Sequence, residues 1–297
     1  FVMAHFGLLA QSKTYYSLEE ALKEPQKVEA LEWVLQDRDQ IPATIQQLKH
    51  LRYLKLISIA PNRLKGLPPE IGNLKHLETL WIQGGQIKIL PKSIGKLKKL
   101  KRLRLYACQL QHLPTTIGTL NSLEYLDLSH NTLKKLPISM GNLKSLRTLN
   151  LDNNHLNDLP DTFRQLSSLQ SLFLQANALK IFPQSITHLK KLENLSIGHD
   201  SIEVLPAEIG QLTHLKSFVL DWGKIKQLPN TFANLKNLEV LSIIKTPIKK
   251  FPSCITQLTQ LKKLTFSLNQ ALNLPSNLGN LTHLRWLNLS GNQFKKL

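Results

Sequence analysis

The chain of 297 residues contains only two cysteines, Cys108 and Cys254, which are too few for the disulfide framework of a small secreted module. Its 13 glycines and 15 prolines are too few for a fibrous or disordered class. No apolar run approaches the roughly 18 residues that a membrane-spanning helix requires. The stability of the fold must therefore come from packing of the hydrophobic residues, which make up 42% of the chain.

Acidic residues are also scarce, since 20 Asp and Glu stand against 38 Lys and Arg, for a net charge of +18. Such an excess raises solubility and favours anionic neighbours such as nucleic acid, lipid headgroups or acidic proteins. The sequence has no glycine-rich loop that would cradle a phosphate and no aromatic motif of the RNA-binding type. We therefore expect no cofactor and no specific nucleic-acid partner.

One stretch, LPTTIGTLNSLEYLDLSHNTLKKLP at residues 113–137, begins and ends on the same Leu-Pro dipeptide. Equivalent prolines stand at positions 42, 68, 91, 114, 137, 160, 183, 206, 229, 252 and 275. After a first interval of 26 residues, the other nine intervals are all 23. A fixed period of this length is typical of a solenoid in which each repeat forms one coil.

Only a short part of each repeat alternates with the period of a strand. Leu126 and Leu128 alternate in this way, which predicts a short strand with Tyr125, Asp127 and Ser129 pointing outward. One coil cannot bury its apolar side alone, so neighbouring coils must stack and their strands must form a parallel sheet.

An asparagine follows each strand in many repeats. An amide turned inward at a tight bend satisfies backbone donors and acceptors that would otherwise be buried without partners. Asn131, Asn154, Asn177, Asn269 and Asn292 share this phase, and Gly85, Cys108, Asp200, Gly223 and Thr246 replace it elsewhere. We expect a weaker hydrogen-bond ladder where the asparagine is missing.

The pattern LxxLxxLxLxxNxLxxLPxxIGxL resembles the leucine-rich-repeat family over residues 28–297. It is most similar to the 23-residue type of Ras-pathway scaffold proteins, plant intracellular Ras-group proteins and bacterial repeat proteins. The resemblance implies an α/β repeat solenoid, a horseshoe with a parallel β-sheet on its concave face and irregular or short helical turns on its convex face. It also implies recognition of a protein or ligand and nothing narrower.

We divide the chain into three parts. Residues 1–16 form an apolar N-terminal segment that could be a signal-peptide remnant, although no basic residues precede the apolar run. A cytoplasmic location and an exported location therefore both stay open. Residues 17–40 form a capping helix and a degenerate repeat, in which Ser17 and Glu20 predict a helix over Leu18–Lys23 and Arg38 occupies a leucine position. Residues 41–297 form the leucine-rich-repeat domain of about 11 repeats, which we expect to be truncated at its C-terminus.

We predict twelve strands, whose outward side chains form the concave face. Aromatic and arginine side chains are the usual anchors of interfaces, and they cluster on four successive coils in the N-terminal half of this face. The candidate partner-binding residues are Tyr53, Lys55, Trp81, Arg102, Arg104, Tyr106, Tyr125, Asp127, Asn150, Asp152 and Phe173.

The positive charge must lie mainly on the flanks, because charges in the outward columns balance. Two rows of lysines carry part of it: Lys49, Lys75, Lys98, Lys144, Lys190 and Lys236 share one phase, and Lys134, Lys135, Lys249, Lys250, Lys295 and Lys296 share another. These rows are either a solvated surface or a flank that associates weakly and in a salt-dependent way with anionic surfaces.

The sequence gives little support for catalysis or metal binding. Asp127, Ser129 and His130 lie on one coil, but no base stands between the acid and the serine and no oxyanion-hole loop is present. His50 and His76 lie on adjacent coils without a third ligand. Cys108 and Cys254 are six coils, or roughly 30 Å, apart, beyond the reach of a disulfide. We predict no catalytic residue and no metal site.

The function that this sequence favours is a non-enzymatic protein–protein interaction module, expected to be a monomer, which binds its partner on the concave face. One alternative is the recognition or targeting segment of a larger signalling protein or enzyme. Another is an exported surface adhesin or a binder of anionic ligands.

Overall fold

The structure is a computed structural model that describes residues 13–35, 40–59 and 64–295. The predictions made for residues 1–12, Arg38, Lys296 and Leu297 lie outside these residues. The chain forms two compact units, Phe1–Leu133 and Lys134–Leu297.

Every described repeat contributes one short strand. In the first unit these strands are β1 (Thr14–Tyr15), β2 (Ala30–Leu35), β3 (Tyr53–Ser58), β4 (Thr79–Gln83), β5 (Arg102–Tyr106) and β6 (Tyr125–Asp127). In the second unit they are β7 (Thr148–Asn150), β8 (Ser171–Phe173), β9 (Asn194–Gly198), β10 (Ser217–Asp221), β11 (Val240–Ile244), β12 (Lys263–Ser267) and β13 (Trp286–Asn288). Within each unit the strands pair in parallel and follow sequence order. The predicted parallel repeat solenoid is confirmed.

The returning half of each coil contains a short 3-10 helix. These helices are Pro25–Lys27, Ala43–Gln47, Pro69–Asn73, Lys92–Lys96, Thr115–Thr119, Ile138–Asn142, Asp161–Gln165, Gln184–His188, Ala207–Gln211, Asn230–Asn234, Ser253–Gln257 and Leu278–Asn280. Proline at the N-cap of ten of them fixes its own φ near the helical value, which starts each turn at the same point of the repeat. Gly95 lets two such turns stack closely, because a Cβ there would lie 2.6 Å from the carbonyl oxygen of Thr116.

The described α-helix is α1 (Leu18–Ala21), in which the Ser17 hydroxyl accepts a hydrogen bond from the Glu20 N–H at 3.1 Å. The predicted N-cap is therefore present, although the helix ends two residues before the predicted Lys23. Among the described residues, no helix is long and apolar enough to cross a membrane.

Two details of the strand prediction were wrong. The described strands number thirteen instead of twelve, because Thr14 and Tyr15 pair with Ala30 and Leu31 and so place part of the predicted apolar segment in the sheet. Ser129 does not face solvent, since it is 4% exposed.

Leucines of the repeat form the interior, and both Leu126 and Leu128 are fully buried. Above them the predicted asparagine ladder is present. The amide of Asn131 donates to the carbonyl oxygens of Leu105 and Leu128, and its oxygen accepts from the N–H groups of Cys108 and Leu110. Asn131 thus ties its coil to the one before it.

Asp200 shows what happens when asparagine is missing. Its Oδ1 accepts a hydrogen bond from the Ile202 N–H at 3.2 Å, whereas its buried Oδ2 has no hydrogen-bond partner among the described residues. Burial raises the pKa of this carboxyl group, and nearby backbone N–H groups and His199 only partly oppose that effect.

Immediately before the asparagine phase, the chain adopts a left-handed backbone conformation. In the second unit this row comprises Asn153, Ala176, His199, Trp222, Lys245, Leu268 and Gly291, with φ values between 54° and 68°. The N–H of each of these residues except Gly291 donates to the next coil, as Trp222 does to the Ile244 carbonyl at 2.7 Å. The repeat therefore imposes this conformation whatever side chain stands there.

Candidate partner-binding face

The centre of the sheet face in the first unit carries a column of five side chains. Strand pairing places Glu32 beside Lys55, Lys55 beside Trp81, Trp81 beside Arg104 and Arg104 beside Asp127. The register is the one expected from the proline spacing, which is 26 residues between the coils of Lys55 and Trp81 and 23 for the other pairs, and it brings the charged and aromatic candidates of β3 to β6 together.

These five side chains form a continuous ladder of contacts. Lys55 Nζ lies 3.0 Å from Glu32 Oε2 and 5.3 Å from the centroid of the Trp81 ring. Arg104 Cζ lies 4.6 Å from the same centroid, and Arg104 Nε lies 2.9 Å from Asp127 Oδ2. Because β4 lies between β3 and β5, the two cations approach the indole from opposite sides. Cation–π contacts and ion pairs thus hold Trp81 in place.

Asp127 is less available than the sequence suggests. Its side chain is 4% exposed, because Arg104 covers it and its Oδ1 accepts hydrogen bonds from the N–H and the hydroxyl of Ser129 at 3.0 and 2.6 Å. The expectation that Asp127 points freely outward is corrected on this ground. Asp127 contributes to the face indirectly, because it positions Arg104.

The tyrosines of the patch differ in exposure. Tyr53 is only 9% exposed, and burial, together with the charge of Glu32, raises the pKa of its phenol. Tyr125 is half-buried, and burial also raises its pKa. Tyr106 is half-buried between Arg104, whose Cζ lies 4.9 Å from its ring centroid, and His130, whose ring centroid lies at the same distance.

Arg102 contrasts with Arg104. It lies half-buried on β5, paired in register with Thr79 on one side and Tyr125 on the other. It has no ion pair or hydrogen bond to any described residue, so its charge is not compensated on the face. Among the predicted anchors of the first unit, this arginine has its donors available for a partner.

The second unit carries the three remaining candidates. Asn150 and Phe173 are half-buried neighbours on β7 and β8. Asn150 Oδ1 accepts from the Asp152 N–H at 2.9 Å, and Asp152 Oδ1 accepts from the Gln175 N–H at 2.6 Å. Asn150 and Asp152 thus help to hold the strand ends.

The side of the first unit where the strands begin carries a separate charged cluster. Glu78 accepts from Arg52 and from Lys101, at 2.7 and 2.9 Å. Burial alone would raise the pKa of Glu78, but these two hydrogen bonds outweigh it and lower the pKa. A cleft of about 310 Å³ beside them is lined by Glu29, His50, Arg52, His76, Glu78 and Lys99. Within residues 13–35, 40–59 and 64–295, no group of three or more His, Cys, Asp or Glu is placed to hold a metal ion.

Five lysines of one predicted row make hydrogen bonds to the 3-10 turns. Lys75, Lys98, Lys144 and Lys236 donate to carbonyl oxygens of Gly72, Thr119, Gln165 and Gln257, respectively, and Lys190 donates to the side chain of Gln211. The last carbonyls of a helical turn lack partners within the turn, and a cation there is favourable. This row thus stabilises the turns, a role that sequence phase alone did not reveal.

A stack at the carboxyl edge of the second unit was not predicted from the sequence. The rings of His199 and Trp222 lie parallel within 16°, with centroids 5.1 Å apart, and Lys245 Nζ lies 3.5 Å from the Trp222 centroid. The three residues occupy equivalent positions of successive 23-residue repeats, immediately before the asparagine position. Comparing the residues at this one position along the sequence would have brought them together.

Both cysteines are buried free thiols. Burial raises the pKa of Cys108 to about 12 and that of Cys254 to about 11. Neither thiol is activated as a nucleophile, since a reactive cysteine has a lowered pKa.

The geometry is that of a parallel repeat solenoid with an asparagine ladder, and the sequence comparison names the same class. A family model described as leucine-rich repeat region matches residues 27–130, 115–222 and 203–296. The chain belongs to the leucine-rich-repeat family, whose members commonly bind protein partners or ligands and are typically non-enzymatic. A comparison with curated proteins found no match.

Solved structures agree with this assignment. A leucine-rich-repeat protein from Leptospira interrogans is 30% identical, with a TM-score of 0.61, over 96% of this chain and 95% of that chain. An internalin from Listeria monocytogenes is 23% identical, with a TM-score of 0.76, over 92% and 76%. The plant peptide hormone receptor RGFR1, in complex with RGF2, is 24% identical, with a TM-score of 0.75, over 95% of this chain and 46% of the receptor chain. The last two likenesses concern the fold alone.

Proposed function

We propose that this chain is a non-enzymatic interaction module that holds a protein partner on the exposed face of its sheet, which we expect to be concave. The single observation that carries the proposal is the ladder in which Trp81 is held between Lys55 and Arg104. A tryptophan and an arginine already fixed on strands lose little side-chain entropy when a partner docks.

Arg102 is the residue of this patch that we expect to contribute most to binding. The charges of Lys55 and Arg104 are already compensated by Glu32 and Asp127, whereas that of Arg102 is not. An arginine beside aromatic rings suits a carboxylate or a backbone carbonyl of a partner, because its planar group donates two parallel hydrogen bonds. Arg102, Tyr125, Tyr106 and Trp81 therefore form the proposed anchor set.

The arrangement around Ser129 argues against hydrolytic chemistry on this face. The Ser129 hydroxyl donates to the carboxylate of Asp127 at 2.6 Å, and Arg104 pairs with that carboxylate at 2.9 Å, which makes it a weak base toward the serine. The His130 ring packs against Tyr106, at a centroid distance of 4.9 Å. Both contacts favour a recognition surface.

The same fold holds a ligand elsewhere, since the plant receptor named above forms a complex with RGF2. That complex supports recognition as a use of the fold, and it identifies no partner for this chain.

We also propose that residues 17–40, together with β1, cap the amino end of the stack. In support, Leu18 and Ala21 of α1 are buried, and β1 covers β2 on the side that would otherwise be open. An edge strand of two residues limits pairing with other chains.

The proposal is tested by matched arginine substitutions. A partner captured on the intact chain is measured against Arg102→Ala and against Arg164→Ala, which removes an exposed arginine from the 3-10 helix Asp161–Gln165. We expect Arg102→Ala to weaken binding about tenfold or more, as is typical of an interface anchor, and Arg164→Ala to leave it unchanged. Equal affinity of the two variants would contradict the proposed face.

A second pair of variants tests the tryptophan. Trp81→Leu keeps an apolar side chain but removes the ring between the two cations, whereas Trp286→Leu makes the same change on β13, where Trp286 is 58% exposed. We expect only Trp81→Leu to weaken binding. A larger loss with Trp286→Leu would place the partner on the second unit instead.

A further inference from the structure

The second unit carries a surface that the proposed function does not use, at the carboxyl ends of β9 to β11. We call it the carboxyl-edge surface and define it by His199, Trp222 and Lys245, the adjacent Lys224 and Lys226, and Lys249 and Lys250 on the next part of the coil. All seven side chains are exposed. They lie on three successive coils, and all belong to the same compact unit.

The centre of this surface is a rigid stack. Because β10 lies between β9 and β11, His199 and Lys245 reach the Trp222 indole from opposite sides, at 5.1 and 3.5 Å. Both faces of the ring are therefore covered, and its edge remains open, with 46% of the residue exposed.

The backbone beneath the stack is costly for these side chains. Trp222 has a φ of 59°, His199 of 54° and Lys245 of 55°, in the left-handed region that large side chains adopt only at a cost. Other coils place glycine, asparagine or alanine at this phase, as at Gly291, Asn153 and Ala176, although the next coil has the large residue Leu268. His199, Trp222 and Lys245 are exposed, so packing of the interior does not explain them.

Lysines outnumber carboxylates on the carboxyl-edge surface. Lys226 pairs with Glu203 at 2.7 Å, and that hydrogen bond, with help from Lys224, lowers the pKa of Glu203. Lys249 and Lys250 have no ion pair or hydrogen bond to a described residue. Five lysines thus lie on the three coils of the stack, and the nearby carboxylates are those of Glu203, which pairs with Lys226, and of Asp200 and Asp221, which interact with His199.

The geometry selects among anionic partners. A nucleic-acid base binds an aromatic side chain by stacking on its face, and neither face of Trp222 is open. The exposed indole edge is suited to an apolar side chain, and the lysines around it are suited to carboxylates. A protein segment that combines acidic and apolar residues fits both features.

We propose that the carboxyl-edge surface is a second binding site, which takes an acidic segment of a protein partner, with its apolar side chains against the edge of Trp222 and its carboxylates on the surrounding lysines. The site is independent of the sheet face of the first unit.

The test uses the full chain and a fluorescein-labelled peptide of alternating glutamate and leucine, measured by fluorescence anisotropy. A peptide with glutamine in place of glutamate is the ligand control. The key variant is Lys249→Glu/Lys250→Glu, and its matched control is Lys134→Glu/Lys135→Glu, which changes two exposed lysines of the same repeat phase and alters the net charge equally. Trp222→Gly removes the ring and is compatible with the left-handed backbone.

We expect the glutamate peptide to bind more tightly than the glutamine peptide, and binding to weaken as salt is raised. Lys249→Glu/Lys250→Glu and Trp222→Gly should each weaken it at least about fivefold, while the matched control changes it less than about twofold. Arg102→Ala should have no effect, which separates this site from the sheet face.

Three results would overturn the proposal. Equal affinity for the two peptides would show that carboxylates are not recognised. Equal loss in the two double variants would reduce the effect to net charge. Tighter binding of polyuridylate than of the glutamate peptide, lost in Trp222→Gly, would assign the surface to nucleic acid.

Discussion

Arg104 Nε lies 2.9 Å from Asp127 Oδ2, across the neighbouring strands β5 and β6. The Asp127 side chain is 4% exposed and the Arg104 side chain 25%, so this pair is shielded from water on the acidic side. The same guanidinium packs against Trp81. One arginine therefore both compensates a buried charge and fixes the proposed anchor.

This relationship predicts an asymmetric cost of substitution. Arg104→Ala leaves the buried carboxylate of Asp127 without its cation, so we expect a loss of about 3 kcal/mol in the free energy of unfolding, measured by urea denaturation. The exposed pair Lys262–Glu239, at 2.9 Å, is the control, and Lys262→Ala should cost less than about 1 kcal/mol. Similar costs for both variants would show that Asp127 is not effectively buried.

Asp200→Asn should stabilise the protein at neutral pH. The substitution restores the asparagine of the repeat and replaces the unpartnered Oδ2 by an N–H donor. In the preceding coil, the equivalent Asn177 amide donates to the carbonyl oxygens of Leu151 and Leu174. We expect a gain of about 1–2 kcal/mol in the free energy of unfolding, from urea midpoints.

The pH dependence of this gain has a definite sign. The pKa of Asp200 is raised in the folded state, so the native protein bears the cost of the buried charge once pH exceeds that value. Below the ordinary pKa of 3.8 the wild-type carboxyl is protonated in both states, and the gain from Asp200→Asn should shrink. A gain that grows on acidification would contradict this account.

Gly198 and Gly223 should respond differently to alanine. Gly198 has a φ of 147°, and a Cβ there would collide with the carbonyl oxygen of Asp221. A Cβ at Gly223 would lie no closer than 3.5 Å to its nearest neighbour, which is the side chain of Leu220. We expect Gly198→Ala to cost about 2–4 kcal/mol in unfolding free energy and Gly223→Ala to change it by less than about 1 kcal/mol. Equal melting temperatures for the two variants would argue against the described turn.

Alkaline pH should destabilise the fold because the buried thiols and a half-buried tyrosine resist deprotonation in the folded state. Burial raises the pKa of Cys108 from 9.0 to about 12 and that of Cys254 to about 11, and it also raises the pKa of Tyr125. Their contribution to stability is complete below pH 9, where both states are protonated. It is lost as pH rises toward the folded values, because the unfolded state releases its protons first.

We therefore expect urea midpoints to be constant from about pH 7 to 8.5 and to fall steadily above about pH 9. The double variant Cys108→Ala/Cys254→Ala starts from a lower stability but should show a shallower decline, since two of the titrating groups are gone. An identical slope in both proteins would exclude the thiols as the cause.

Much of the fold was predictable because the repeat carries its own register. The proline spacing, which is 26 residues from Pro42 to Pro68 and 23 from Pro68 to Pro91, placed Lys55, Trp81 and Arg104 side by side, and strand pairing confirms it. The N-cap at Ser17 was also predictable, since a hydroxyl three residues before a glutamate is a local signal. The strand at Thr14 was not, because two residues carry no period.

The character of the face was harder to predict than its position. Phase shows that Arg104 and Asp127 are neighbours, but it does not show that they pair and bury the carboxylate. It shows a row containing Lys98 and Lys144, but not that their ammonium groups reach carbonyl oxygens of the 3-10 turns. Side-chain direction and reach decide these contacts, and hydrophobic periodicity does not encode them.

The most direct test of the central claim is site-specific photo-crosslinking with benzoylphenylalanine placed at Tyr106, on the sheet face, and at Thr115, at the start of a 3-10 helix in the same unit. The account predicts that a protein partner crosslinks from position 106 and not from position 115, and that Arg102→Ala in the same chain removes the crosslink. Crosslinking from position 115 alone would contradict it.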